Sequence, residues 1–235
     1  MHQVSSIFSS KLRKILSVVL LAAMLLGGIA YLTKATMRDS SGYKYRPFFE
    51  EDTEYDVLFF GTSHVINGIF PMQLWNDYGI TSYNFGGHGN SIATSYWVMV
   101  NALQYHKPKI AVLDVLGAGS TSTEMNISNS HLSLDAFPLS ATKISATKDI
   151  FPTDKGKQTE LILPLSIYHN RWNELTADML KAGFGRYSSY NVEKGAESRI
   201  AIAIPNETSH ISRFSRATDD SVGLQYIQKF IDYCN

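Results

Sequence analysis

The chain has 235 residues, with 21 basic and 21 acidic side chains and an apolar share of 44%. That share excludes global disorder and is enough for one sizeable α/β domain plus an anchor. Zero formal charge with no basic block removes nucleic acid as an expected partner, and the lone Cys234 excludes an internal disulfide and a cysteine zinc site.

Ile15 to Leu32 runs for eighteen residues without a charge. As helix it would cover roughly 27 Å, against a hydrocarbon core of about 30 Å. Lys11, Arg13 and Lys14 precede the run, and Lys34, Arg38 and Asp39 follow it with a smaller net charge. The positive-inside rule therefore places the N-terminus in the cytoplasm and the bulk of the chain outside, at the cell membrane. The expected order is a cytoplasmic tail at 1–14, a single-pass signal anchor at 15–32 and a polar stem at 33–54. A cleaved signal peptide is the competing reading. Its apolar core is usually about 7–15 residues long, and Tyr31-Leu32-Thr33-Lys34-Ala35 is a poor cleavage site.

From residue 55 strand-like and helical runs alternate. Val57-Leu58-Phe59-Phe60 is a continuous apolar run of the kind found in doubly covered parallel strands. A helical stretch with Ile69, Met72, Leu74 and Trp75 follows and ends at Tyr78-Gly79. Thr81–Phe85 reads as a second strand, Ser91–Tyr105 as a helix stopped by Pro108, and Ile110–Leu113 as a third strand. This alternation predicts a parallel sheet with right-handed crossovers. Residues 116–220, rich in Ser, Thr and Asn, read as an irregular insertion suited to a lid over the sheet's C-terminal edge. Ser221–Tyr233 reads as a closing amphipathic helix with acids before it as caps. Such a helix normally leads into another strand, so the domain at 55–235 is expected to be partial.

Ser63 follows the first strand through Gly61 and Thr62. Reactive groups in open α/β sheets collect at the carboxyl ends of strands, and backbone N–H groups there meet developing negative charge. A helix N-cap role is the competing reading for Ser63. Asn84-Phe85-Gly86-Gly87-His88-Gly89 lies at the end of the second strand. Its glycines let amides approach an oxyanion without side-chain interference, and a plain flexible turn is the alternative. A dinucleotide loop fits poorly, because the cluster follows the second strand and not the first. No His/Asp/Glu grouping has metal-ligand spacing, and no cofactor is expected.

Gly61-Thr62-Ser63, with Asn84 and Gly89 after it, resembles the first two blocks of the SGNH/GDSL hydrolase family. The context Asp56–His64, followed by Asn67-Gly68 and Leu74-Trp75, is similar to its membrane-anchored bacterial branch, which includes teichoic acid D-alanyl transfer proteins and alginate O-acetyltransferases. The resemblance covers roughly residues 54–116. It implies a three-layer, flavodoxin-like α/β domain and a serine-dependent acyl-ester hydrolase or O-acyltransferase. Its partners would be an acylated cell-surface polysaccharide or polymer and a membrane acyltransferase. Ser63 would be the nucleophile, and the N–H groups of Ser63 and Gly89 would form part of the oxyanion hole.

Two departures stand beside it. The family's Gly-x-Asn-Asp block should fall near 116–119, where the chain reads Leu116-Gly117-Ala118-Gly119. No histidine has Asp three residues before it, so the family's catalytic Asp-x-x-His is missing, and the chain reads as a truncated fragment that lacks its base. His64 and His88 are the candidate stand-ins, with a surface position or a supporting role beside the reacting groups the favoured reading for both, and a supporting role for Asn84 and Gly86. A non-catalytic, membrane-tethered binding or accessory protein is the alternative function. His169-Asn170-Arg171-Trp172 reads as a packed helix start, with a glycan contact as the alternative.

Overall fold

The computed structural model describes residues 2–37, 39–185, 192–198 and 221–235. In chain order come α1 (His2–Thr36), α2 (Asp39–Glu50), β1 (Val57–Gly61), α3 (Ser63–Gly68) and α4 (Pro71–Tyr78). Next are β2 (Ser82–Gly86), α5 (Ile92–Ala102), β3 (Ile110–Leu113), α6 (Ile127–Leu134) and α7 (Ala141–Ile150). Then α8 (Lys155–Ile162), α9 (Leu165–Tyr168), a 3₁₀ turn (His169–Glu174), α10 (Ala177–Gly183) and α11 (Val222–Cys234) complete the series. The chain divides into two compact units, Met1–Met37 with Leu165–Ser188, and Arg38–Pro164 with Ser189–Asn235.

The larger unit is mixed α/β. Its sheet is parallel in the order β2-β1-β3, with Val57 beside both Ser82 and Ile110 and Gly61 beside Gly86. All three strands fall within one residue of the sequence expectation, because short apolar runs between turn residues have few other places to go. The helical stretch expected to end at Tyr78-Gly79 comes as two helices, α3 and α4, parted at Ile69-Phe70. Pro71 opens α4, where its missing N–H costs nothing, and Gly79 closes it with φ +69°. Ser91 caps α5 by accepting from Thr94 N at 3.1 Å, and Ser221 caps α11 by accepting from Leu224 N at 3.2 Å. The acids expected to cap α11, Asp219 and Asp220, lie outside the described residues.

Two sequence expectations need correction. Residues 33–54 do not form a polar stem: α1 runs on to Thr36, and α2 buries Tyr45 and Phe48 completely in the domain core. Phe85 is the centre of that core, with its ring centroid 5.1 Å from Tyr45, 4.7 Å from Phe48 and 5.4 Å from Phe60. Each such ring pair adds about 1 kcal/mol beyond the apolar area it buries. The stretch from 116 is likewise no irregular lid over its described length. Helices α6 to α8 and their connections supply Leu134, Phe137, Ile150, Phe151 and Leu161 to the same core. Residues 186–191 and 199–220 of the expected insertion lie outside the described residues.

The helices α6 and α8 meet through a buried charged group. His131 Nδ1 lies 2.8 Å from Asp135 Oδ2, and its Nε2 lies 3.0 Å from Glu160 Oε1, with the imidazole side chain only 5% exposed. Burial disfavours the imidazolium, but the two carboxylates overcome it and hold the His131 pKa above its ordinary value. A folded pKa raised above the unfolded one adds stability that is complete below the unfolded value of about 6.5. That stability is lost as pH rises through the folded pKa. His131→Gln is expected to cost roughly 3 kcal/mol at pH 6 by leaving two carboxylates under-paired. The gap to wild type should narrow in denaturant melts as pH is raised above 7.

In the smaller unit, α1 carries a 27-residue stretch, Ser10–Thr36, long and apolar enough to cross a membrane. Its aliphatic side chains from Ile15 to Leu26 are exposed along the helix. Arg171 Nη1 donates to Thr36 O at 2.7 Å and so satisfies one of the carbonyls left over at the end of α1. His169, Asn170, Arg171 and Trp172 thus belong to the 3₁₀ turn in this unit.

Candidate active site

The central strand ends in Gly61, and Thr62 caps α3. The Thr62 hydroxyl accepts from His64 N at 3.3 Å and donates to Asp114 Oδ2 at 2.6 Å. Asp114, just past β3, also takes Thr62 N at 3.3 Å and Leu116 N at 2.9 Å. Partial burial works against the charged form of Asp114. The hydrogen bonds from Thr62 and Leu116 and the nearby His64 outweigh it, and the carboxyl stays below its usual range. The β1–α3 turn is therefore stapled to the end of β3 by one carboxylate.

Ser63 is consequently not the cap. It is the first residue of α3, half-buried, and among the described residues no group hydrogen-bonds to its hydroxyl. The loop after β2 lies directly against this turn. Gly87 N donates to Gly61 O at 3.0 Å, and Asn90 Nδ2 donates to the same oxygen at 3.2 Å. Asn90 is itself held by Ser133 Oγ, which donates to its Oδ1 at 2.6 Å. A Cβ on Gly86 would sit 2.4 Å from Ile66 N, so only glycine lets the two segments approach this closely. Gly89 turns the chain with φ +64° and has the Asn129 side chain over it, 2.8 Å from where a Cβ would be.

Asn84 is fully buried and acts as a bracket. Its amide donates to Val65 O at 2.7 Å and Ile69 O at 2.8 Å, and its oxygen accepts from Gly86 N at 2.8 Å. It fixes the end of α3 relative to the glycine loop. His88 Nε2 lies 2.8 Å from Glu197 Oε2. The Glu197 backbone N donates to Ile66 O at 2.9 Å, so that carboxylate is carried on a turn docked to α3. His64 is exposed beside Asp114. The structure thus sets Ser63 and His64 after β1 and Asn84, Gly86, His88 and Gly89 at and after the end of the adjacent β2, and adds Thr62, Asp114 and Glu197, which sequence reasoning missed. Glu197 lies 109 residues from His88, with no spacing signal to reveal it.

Lys44 enters from α2, buried, with Nζ donating to Gly86 O. Burial pushes its pKa down to about 7, although Glu197 opposes the shift. With the folded pKa depressed, the lysine's contribution is most favourable above the unfolded value near 10.4 and is lost as pH falls through about 7. The whole span is worth on the order of 5 kcal/mol. Wild-type stability relative to Lys44→Met should therefore rise between pH 7 and 10, as read from denaturant midpoints. A flat difference would show that Lys44 keeps its charge.

Among the described residues no group of His, Cys, Asp and Glu could hold a metal ion. No protein-family model, curated protein or solved structure matches the chain.

Proposed function

We propose that the chain is a membrane-anchored, extracytoplasmic serine acyl-ester hydrolase or O-acyltransferase of the SGNH/GDSL type, acting on an acylated cell-surface glycan or polymer. The observation that carries this reading is the division of labour between neighbours. Thr62 takes the capping and stapling bonds, which leaves the Ser63 hydroxyl uncommitted at the carboxyl end of the central strand. The β2-β1-β3 order, which is how flavodoxin-like sheets begin, supports it.

In this reading Ser63 Oγ attacks an ester carbonyl and His88, oriented by Glu197, takes its proton. The N–H groups of Ser63 and Gly89 receive the oxyanion. Water or a sugar hydroxyl then accepts the acyl group, with a membrane acyltransferase as the source of acyl groups in the transfer case. Lys11, Arg13 and Lys14, which precede the apolar run within α1, favour an N-terminus in the cytoplasm.

A second reading, a non-catalytic binding or accessory protein, is favoured by one observation. No described base hydrogen-bonds Ser63 Oγ. A fluorophosphonate probe separates the two. Adduct on the peptide carrying Ser63 in folded protein supports the enzyme, and absence of adduct supports the binding module.

A further inference from the structure

The end of α1 carries a built attachment for a second, short helix. Tyr31 Oη donates to Leu180 O at 3.2 Å, and the Tyr31 ring lies 4.7 Å from that of Phe184. Gly183 makes the approach possible, since a Cβ there would fall 2.5 Å from the Tyr31 ring. Residues 180–184 are thereby held level with Tyr31, the last turn of the charge-free run. Arg171 bonds Thr36 O, five residues or about 7.5 Å farther along the helix axis.

This segment displays large apolar side chains. Phe184 is 77% exposed, Trp172 73% and Leu180 42%. Lys181 and Asp178 pair with each other at 3.0 Å, so the helix adds no net charge there. Leu32, next to Tyr31 on α1, is exposed as well, at 42%. Aromatic residues at the ends of spanning helices sit at the headgroup level, where an amphipathic ring meets both apolar chains and water. Short helices with apolar side chains on one side lie in the same layer.

We propose that α10 and the 3₁₀ turn before it form an interfacial collar, seating Trp172, Leu180 and Phe184 in the bilayer leaflet reached by the C-terminal end of α1. The inference rests on α1 spanning the membrane. The collar would fix the tilt and rotation of α1, which an apolar cylinder alone leaves free.

Spin labels test it in the full chain reconstituted in phosphatidylcholine–phosphatidylglycerol vesicles. With Cys234→Ser as background, single labels are placed by Phe184→Cys, Leu180→Cys and Leu25→Cys, all exposed positions. Collision with oxygen, which concentrates in lipid, is compared with collision with an aqueous nickel chelate. The expected result is a lipid-type ratio at Leu25 and at either collar site, with the collar sites shallower. A lipid-type ratio at Leu25 with a water-type ratio at both collar sites overturns the collar while the span stands. Shielding of both collar sites from both reagents shows protein over the patch and also overturns it. A water-type ratio at Leu25 removes the span, and the collar with it.

Discussion

Ser63→Ala is expected to bring turnover of an activated acyl ester down to the buffer rate, a loss of roughly 10⁴–10⁶, with little change in melting temperature. The stability half of this expectation follows from the hydroxyl's lack of a hydrogen-bond partner among the described residues. Thr62→Ala should behave in the opposite way. It removes the cap on His64 N and the donor to Asp114, costing about 1–2 kcal/mol, while Ser63 Oγ remains. His88→Ala should fall close to Ser63→Ala, and the double variant should be little worse than either, because residues acting as a unit are not additive. Wild-type turnover in Ser63→Ala would end the enzyme reading. A loss matched by an equal loss in Thr62→Ala would mean that the turn alone is being tested.

A large effect on stability is expected at Gly86. Alanine there would place a Cβ 2.4 Å from Ile66 N and 2.9 Å from both Thr62 O and Val65 Cβ. Two of those three atoms are backbone, so relief requires α3 to move away from β2. We expect a cost of roughly 2–4 kcal/mol, and loss of fluorophosphonate labelling along with it, since α3 carries Ser63. Gly68→Ala is the matched control. It lies at the other end of the same helix with nothing within 4 Å of a new Cβ, and should be neutral or stabilising by up to about 1 kcal/mol. Thermal melts of the two variants in one detergent decide the comparison.

The parts legible in the sequence were those with a period or a punctuation mark. Val57–Phe60 and Ile110–Leu113 are bounded apolar runs, and each is a strand. The glycines at 61, 86 and 89 mark places where segments touch or turn. What escaped was packing by segments of polar average. Tyr45, Phe48 and Phe49 have helical spacing, but Gly42, Pro47 and three acids around them give the stretch the composition of a linker. In α6 the buried positions are Ser130, His131, Ser133 and Leu134, so hydropathy shows no stripe. There the core is satisfied by hydrogen bonds and ion pairs, which depend on partners far away in sequence. The glycine-bearing turns after β1 and β2 were legible for the same reason, and their partners Asp114 and Glu197 were not. Nothing local distinguished Thr62 from Ser63 as the cap. The distinction lies in a carboxylate 52 residues on.

With α1 read as a membrane span, the helix packed into the core so soon after it would set a limit on release of the domain. Only Met37 and Arg38 separate the end of α1 from the start of α2. A protease that sheds the domain intact has those two residues and the first turn of α2 to cut. Cleavage after Lys44 would carry away its buried side chain and the bond to Gly86 O, and cleavage after Phe48 would remove Tyr45 and Phe48 from the core altogether. A cut past that point removes core side chains, so a domain shed with its core whole would have to begin no later than the first turn of α2.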